Sequence, residues 1–179
     1  MSTVIVSPYS QTWPLAFARI RADLLDVFTD ARIDIQHIGS TSVPDLAAKP
    51  VIDVLLGADS LTIIEDKIGA LERSGYRYVP KYERELPMRR YFVKAEGEHP
   101  RVHLHAVVSG STIWNNHIAF RDALRANPSL RAAYQALKLD LAAAHADDKS
   151  AYTAAKSPFI QTALAALAAE RDPGDSEPR

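Results

Sequence analysis

Apolar and polar positions alternate through Ile33-Asp34-Ile35-Gln36-His37-Ile38, which predicts a strand with Ile33, Ile35 and His37 on one face. Gly39-Ser40-Thr41-Ser42 follows as a tight polar turn. Val51-Ile52-Asp53-Val54-Leu55-Leu56 is apolar on both faces and predicts an interior strand with one carboxylate in its middle. An ionised carboxylate buried alone is costly, so Asp53 needs a partner or a cation beside it.

The same patterns organise the rest of the chain. Val4-Ile5-Val6 predicts a short strand ended by Ser7-Pro8. Gln11 to Phe28 predicts a helix, with Thr12 as cap, Pro14 in the first turn, and Leu15, Ile20, Leu24, Val27 and Phe28 as its core stripe. Tyr9 and Trp13 at its start either anchor the helix or stack on a nucleobase. Ser60 to Ser74 reads as a second helix, capped by Ser60, striped by Leu61, Ile64, Ile68 and Leu71, and ended by Gly75. Tyr76 to Val79 is a strand and Pro80 to Arg90 a charged loop. Tyr91 to Lys94 and Arg101 to Val108 form an antiparallel pair joined by Glu96-Gly97-Glu98. From Ser111 to about Ala169 the chain reads as three helices, parted at Asn127-Pro128 and at Ala146-Asp147-Asp148. The tail 171–179 is polar, with Pro and Gly, and reads as disordered. The fold class is α+β: a mixed sheet of about five strands, then helices packed on it, in one domain over 1–170.

Composition narrows the setting. The 179 residues are 47% hydrophobic and 24% charged, as in an ordinary globular domain. A net charge of −1 gives no electrostatic case for nucleic-acid or membrane partners. There is no cysteine, which excludes thiolate metal sites and a Cys nucleophile and fits a cytoplasmic chain. The first ten residues show neither a basic nor a long apolar run, so no signal peptide is expected. No window approaches the ~20 apolar residues that span a bilayer.

His37-Ile38-Gly39-Ser40-Thr41-Ser42-Val43-Pro44, followed by Ala48-Lys49-Pro50-Val51-Ile52-Asp53, resembles the signature of the GrpB family. The likeness extends through Tyr9 and Trp13, His103-Leu104-His105, Phe120 to Arg125, and Tyr152 to Lys156. That family is similar to the nucleotidyltransferase superfamily, marked by a Gly-Ser turn and a strand bearing metal-binding carboxylates. The resemblance implies a minimal nucleotidyltransferase-like mixed β-sheet with flanking helices and a C-terminal helical part. It implies transfer of a nucleotidyl group from an NTP to an acceptor, with help from Mg2+ or another divalent metal. GrpB-like domains also occur attached to dephospho-CoA kinase, which implies the alternative of a non-catalytic module binding a nucleotide or metabolite.

The residues bear on both. The superfamily places two acids at alternate positions of one strand; Asp53 holds the first and Leu55 the second, and leucine coordinates nothing. His103 and His105 share one face of their strand and offer either metal ligands, suited to a transition metal, or hydrogen-bond partners for Asp53. The catalytic candidates are thus Asp53, His103 and His105, with Asp53 and His105 as metal ligands. An NTP or other phosphate-bearing molecule is expected at Gly39, Ser40, Thr41 and Ser42, whose small donors surround exposed backbone. His37 either fixes that turn or joins the site, and Lys49 either reaches a phosphate or is solvated. Of Arg89 and Arg90 only one can face the pocket, and Arg90 is the candidate. His117 and Arg121, one turn apart, with Lys138 and Lys156 from later helices, complete the phosphate-binding set or are plain surface charge. Asp59 is a loop or helix-start acid, and Glu83 and Glu85 are reserve carboxylates or solvated.

Overall fold

The structure is a computed structural model and describes residues 5–95, 97 and 100–171. Helix α1 is Thr12–Val27, and strand β1 is Ile33–Ile38. Strand β2 is Val51–Ala58, followed by α2 at Leu61–Glu65, α3 at Ile68–Arg73 and β3 at Tyr76–Tyr78. Strands β4 (Arg89–Lys94) and β5 (Arg101–Val108) close the sheet. Helices α4 (Thr112–Ala126), α5 (Pro128–Ala144), α6 (Lys149–Ala155) and α7 (Ser157–Arg171) complete the chain. No described helix is long and apolar enough to cross a membrane.

The five strands lie in the order β1-β2-β5-β4-β3. All neighbours are antiparallel except the central pair β2 and β5, which run parallel. Side chains alternate across this sheet, so it has two unlike faces. On the core face Ile35, Ile52, Val54, Leu56, Phe92, Val102, Leu104 and Ala106 pack with Trp13, Ile20, Leu24 and Phe28 of α1 and its end, and with Ile64 and Leu71 of α2 and α3. Full burial of each such side chain contributes about 1.5–3 kcal/mol. On the opposite face Ile38, Leu55 and Val107 pack against Ile113, Trp114 and Ile118 of α4. Gly57 makes this contact possible: a Cβ there would lie 2.7 Å from the Trp114 ring. A third cluster joins Val43 and Leu46 of the β1–β2 loop to Leu124, Tyr134 and Phe159 of α4, α5 and α7.

Several expected elements differ in detail. Leu15 is 64% exposed, and the α1 stripe instead runs through Trp13, Ile20, Leu24 and Phe28. Thr12 does not cap α1; its N–H is accepted by Ser10 Oγ at 3.2 Å. The second helix is broken after Glu65, where the Lys67 N–H turns back to Ile64 O in 3-10 fashion. The last third holds four helices rather than three. Pro158 has no N–H to donate back to α6's last turn, so the helix breaks at Lys156 and the chain re-starts as α7, with Pro158 in its first turn. Strand β4 begins at Arg89, two residues before the expected start. Of Val4-Ile5-Val6, Val4 lies outside the described residues, and Ile5 and Val6 form no ladder; the bridge is Ser7 with Ala48. Glu96 and Glu98 of the expected turn, and 172–179 of the tail, also lie outside the described residues.

Candidate ligand site over Asp53

Strand β1 ends in a sharp reversal. Gly39 has φ 69° and ψ −176°, a region essentially confined to glycine. Glycine is needed there for space as well: a Cβ would sit 2.4 Å from Asp53 Oδ2. Ser40–Ser42 then form one 3-10 turn. Its hydroxyls are largely committed. Thr41 Oγ1 donates to Val51 O at 2.9 Å and Ser42 Oγ donates to Gly39 O at 2.6 Å. Both residues are buried, so neither hydroxyl proton is left for a phosphate.

His37 fixes this turn from the core face. Because Thr41 gives its proton to Val51, its oxygen accepts from His37 Nε2 at 3.1 Å. The imidazole stacks on Phe17 with centroids 4.7 Å apart. Burial, and secondarily the charges of Arg125 and Arg121, push its pKa down to about 4 against the pull of Asp53, so it is neutral at pH 7. From the other side α4 clamps the backbone. Arg125 donates to Ser42 O at 3.0 and 2.7 Å, and Arg121 donates to Gln36 Oε1 at 2.8 Å and His37 O at 3.2 Å.

The parallel register sets Asp53 opposite His103 and Leu55 opposite His105. The antiparallel register adds Tyr91 opposite His105 and Arg89 opposite Val107. Asp53, His103, His105, Tyr91 and Arg89 therefore share one face. Asp53 Oδ1 is 3.4 Å from His103 Nδ1 and 3.6 Å from His105 Nε2. Arg89 Nη1 lies 3.2 Å from His105 Nδ1. A guanidinium only donates, so Nδ1 accepts and Nε2–H points at Asp53. Burial acts to raise the Asp53 pKa, but the facing imidazoles outweigh it and hold the carboxyl well below its ordinary range. Burial lowers His105, and Arg89 and His103 add to this against Asp53. His117 of α4 has its ring 5.6 Å from His105 and is pushed down to about 4 by burial and then by that neighbour. Burial lifts Tyr91 to about 12, with Asp53 second. Arg89 lies over the Tyr91 ring at 5.1 Å, and its Nε is buried without a hydrogen-bond partner.

Arg90, the expected pocket arginine, points to the other face. It donates to Glu65 Oε1 at 2.8 and 2.6 Å and to Pro87 O at 2.8 Å. Arg89 takes its place because odd-numbered β4 residues share the histidine face, a parity visible only once the β4–β5 register is known.

Three lysines approach from the same side as the turn. Lys49 lies two residues before β2, in the turn closed by the Val51 N–H donating to Lys49 O at 2.7 Å, and its Nζ is 4.7 Å from the centroid of the Tyr152 ring. Lys156 Nζ is 4.6 Å from that same centroid. Burial lowers both pKa values, that of Lys156 to about 8, with Lys49 its next cause. Lys138 is different: it is 1% exposed and donates to Ala47 O, while Ala47 N donates to Gln135 Oε1 at 2.8 Å. It ties α5 to the β1–β2 loop, and burial, then Lys156, pushes its pKa down to about 7.

The structure thus brings together Asp53, His103, His105, His117, Lys49 and Lys156 around Gly39 and Ser40. It assigns His37, Thr41, Ser42, Arg121 and Lys138 to holding the turn and loop, and Arg90 to the far face. Sequence reasoning weighed Arg89 against Arg90 and chose Arg90, and it left out the Tyr152 ring as a site feature. For a metal, the donors are one carboxylate and imidazoles, one of which turns its N–H toward that carboxylate. Leu55 is fully buried among apolar side chains. Among the described residues no three His, Asp or Glu side chains converge to hold a metal ion. These residues do not supply the several hard oxygens that Mg2+ requires.

Residues 3–166 match the profile described as GrpB protein. The chain is 37% identical over 155 residues to UPF0157 protein YqkA of Bacillus subtilis, covering 87% of this chain and 44% of that protein's length. The crystal structure of conserved protein GrpB from Enterococcus faecalis superposes with a TM-score of 0.82 at 33% identity, over 93% of this chain and 99% of that one. A cytoplasmic RNA terminal U-transferase superposes with a TM-score of 0.53 at 12% identity, over 74% of this chain and 41% of that one, a likeness of fold alone.

Proposed function

The chain belongs to the GrpB family, and on that footing we propose that it binds a nucleotide or another phosphate-bearing small molecule over Asp53. The observation that carries this is the Arg89–His105–Asp53 arrangement beneath the exposed Gly39 turn. Asp53 and His103 keep 29% and 28% of their side-chain surface open, although they are charged or polar groups on a sheet face. A purely structural polar cluster would be closed over; this one has an open side and a buried Arg89 Nε aimed at no protein acceptor. The nucleotidyltransferase-like fold favours a nucleotide as the ligand class. An NTP is a cytoplasmic reagent, and the proposal places the chain there.

Nucleotidyl transfer to an acceptor is the second reading. It is favoured by the Asp53–His103 contact, which can hold an imidazole ready to take a proton from an acceptor hydroxyl. It lacks the second acid of the fold, so binding without transfer stands first.

Calorimetric titration with ATP, GTP, CTP and UTP, each with EDTA, Mg2+ or Mn2+, tests both. Binding that survives EDTA and is lost in Gly39→Val is expected. Absence of binding for every nucleotide removes the first reading, and a labelled acceptor product formed with a metal would put the second ahead.

A further inference from the structure

Lys49 stands at the entrance to β2, and Lys156 at the break between α6 and α7 that Pro158 enforces. These segments are distant in sequence, yet both ammonium groups sit within 4.7 Å of the centroid of one ring, that of Tyr152. Tyr152 is 1% exposed, so the ring is a fixed part of the core rather than a mobile surface group. Like charges gathered on one ring repel, and a cation–π contact worth roughly 0.5–2 kcal/mol per cation does not by itself explain why two are collected there.

A protein carboxylate between them would explain it. Among the described residues neither lysine has such a partner within ion-pair distance. Asp53 attracts both, but its Oδ1 faces His103 and His105. The turn offers little competition for an anion, since the protons of Thr41 and Ser42 are spent on Val51 O and Gly39 O. Beside Arg89, which spends Nη1 on His105, the positive charge near Asp53 without a carboxylate partner is on these two lysines.

We propose that Lys49 and Lys156, each set over the Tyr152 ring, form a metal-independent subsite for the polyphosphate chain of the ligand. This rests on the binding assignment above and locates the phosphates on the lysines rather than on the turn hydroxyls. Two ammonium groups suit a group carrying at least two negative charges, such as a di- or triphosphate, and do without a bridging Mg2+. Partial burial strengthens the attraction and also lowers the ammonium pKa values, which a bound anion reverses.

The test is calorimetry on the full chain in EDTA with inorganic tripolyphosphate, ATP and citrate. Wild type is expected to bind tripolyphosphate and ATP and to discriminate against citrate. Lys49→Met and Lys156→Met should each weaken binding about tenfold, the loss of one charge-assisted contact. The double variant should abolish it, and Lys67→Met, whose ammonium pairs with Asp30 away from the site, should stay within about twofold. Melting curves check folding; if the double variant does not fold, protection of Lys49 and Lys156 from reductive methylation by tripolyphosphate replaces it. ATP bound equally by the double variant but lost in Gly39→Val overturns the subsite and leaves the binding assignment intact. Lysine-dependent tripolyphosphate binding with no nucleotide binding supports the subsite and removes the nucleotide. Citrate bound as tightly as tripolyphosphate, or no anion bound, overturns it.

Discussion

Gly39 rests on Asp53 so closely that no side chain fits between the turn and the carboxylate: a Cβ would meet Oδ2 at 2.4 Å. Gly39→Ala should destabilise by about 1–3 kcal/mol from the glycine-only backbone, with the displacement of Asp53 adding to it. Chemical denaturation measures it. A midpoint within error of wild type would show that the turn can relax and that the contact is incidental.

Asp53→Asn keeps the shape and removes the charge that His103 and His105 face. A cost of about 1–3 kcal/mol is expected at pH 7. The folded-state pKa is depressed, so the stabilisation is fully present above the unfolded value of about 3.9 and is lost as pH falls through the lower folded value. The gap between wild type and Asp53→Asn should therefore narrow steadily below about pH 4. Parallel melting curves from pH 3 to pH 7 check this, and a gap that is constant with pH would contradict it.

Lys138 gives a slope at the alkaline end. Its folded pKa is about 7, against 10.5 ordinarily, so between these values the unfolded chain binds more protons and stability rises with pH. Lys156, at about 8, adds to this. Lys138→Met should flatten the rise between pH 7 and pH 10. Its neutral-pH stability reflects two opposed changes, the lost hydrogen bond to Ala47 O and the relief of a buried ammonium. An unchanged slope would mean that the ammonium is solvated.

Arg89 and Arg90 should behave oppositely. Arg89→Met removes the donor that fixes the His105 tautomer, and should weaken ligand binding at least severalfold with modest change in stability. Arg90→Met breaks an ion pair with the 42%-exposed Glu65, and should cost no more than about 1 kcal/mol and leave binding intact. Nitrogen-detected NMR of the histidines reads the tautomer directly. Equal binding losses in both variants would contradict the face assignment.

Much of this architecture was legible from periodicity. Alternation located β1 and β5 to the residue, and the uninterrupted apolar run identified β2 as interior, because each pattern has one geometric solution on a sheet. Alternation also put His103 and His105 on one strand face. What stayed hidden depends on pairing between distant strands: the choice between Arg89 and Arg90 is a register question, and register is not a local property. The burial of Thr41 and Ser42 was equally hidden, since hydroxyl residues in a turn look alike whether their protons go to backbone or to ligand. Two misses did have local signals. Ser157-Pro158 marks the break into α6 and α7, and the spacing Trp13, Ile20, Leu24, Phe28 excludes Leu15 from the buried stripe.

The central parallel pairing of β2 with β5 has a kinetic consequence. Asp53 and His103 are register partners fifty positions apart, whereas β4 and β5 form a local hairpin. Loop-closure entropy favours the hairpin first, so the histidines and Arg89 are assembled before β2 arrives. Asp53 gains its imidazole partners only when that long-range ladder closes. The carboxylate therefore reports closure of that ladder, and a chain halted before it carries an exposed histidine strand edge on which another molecule's β2 can pair.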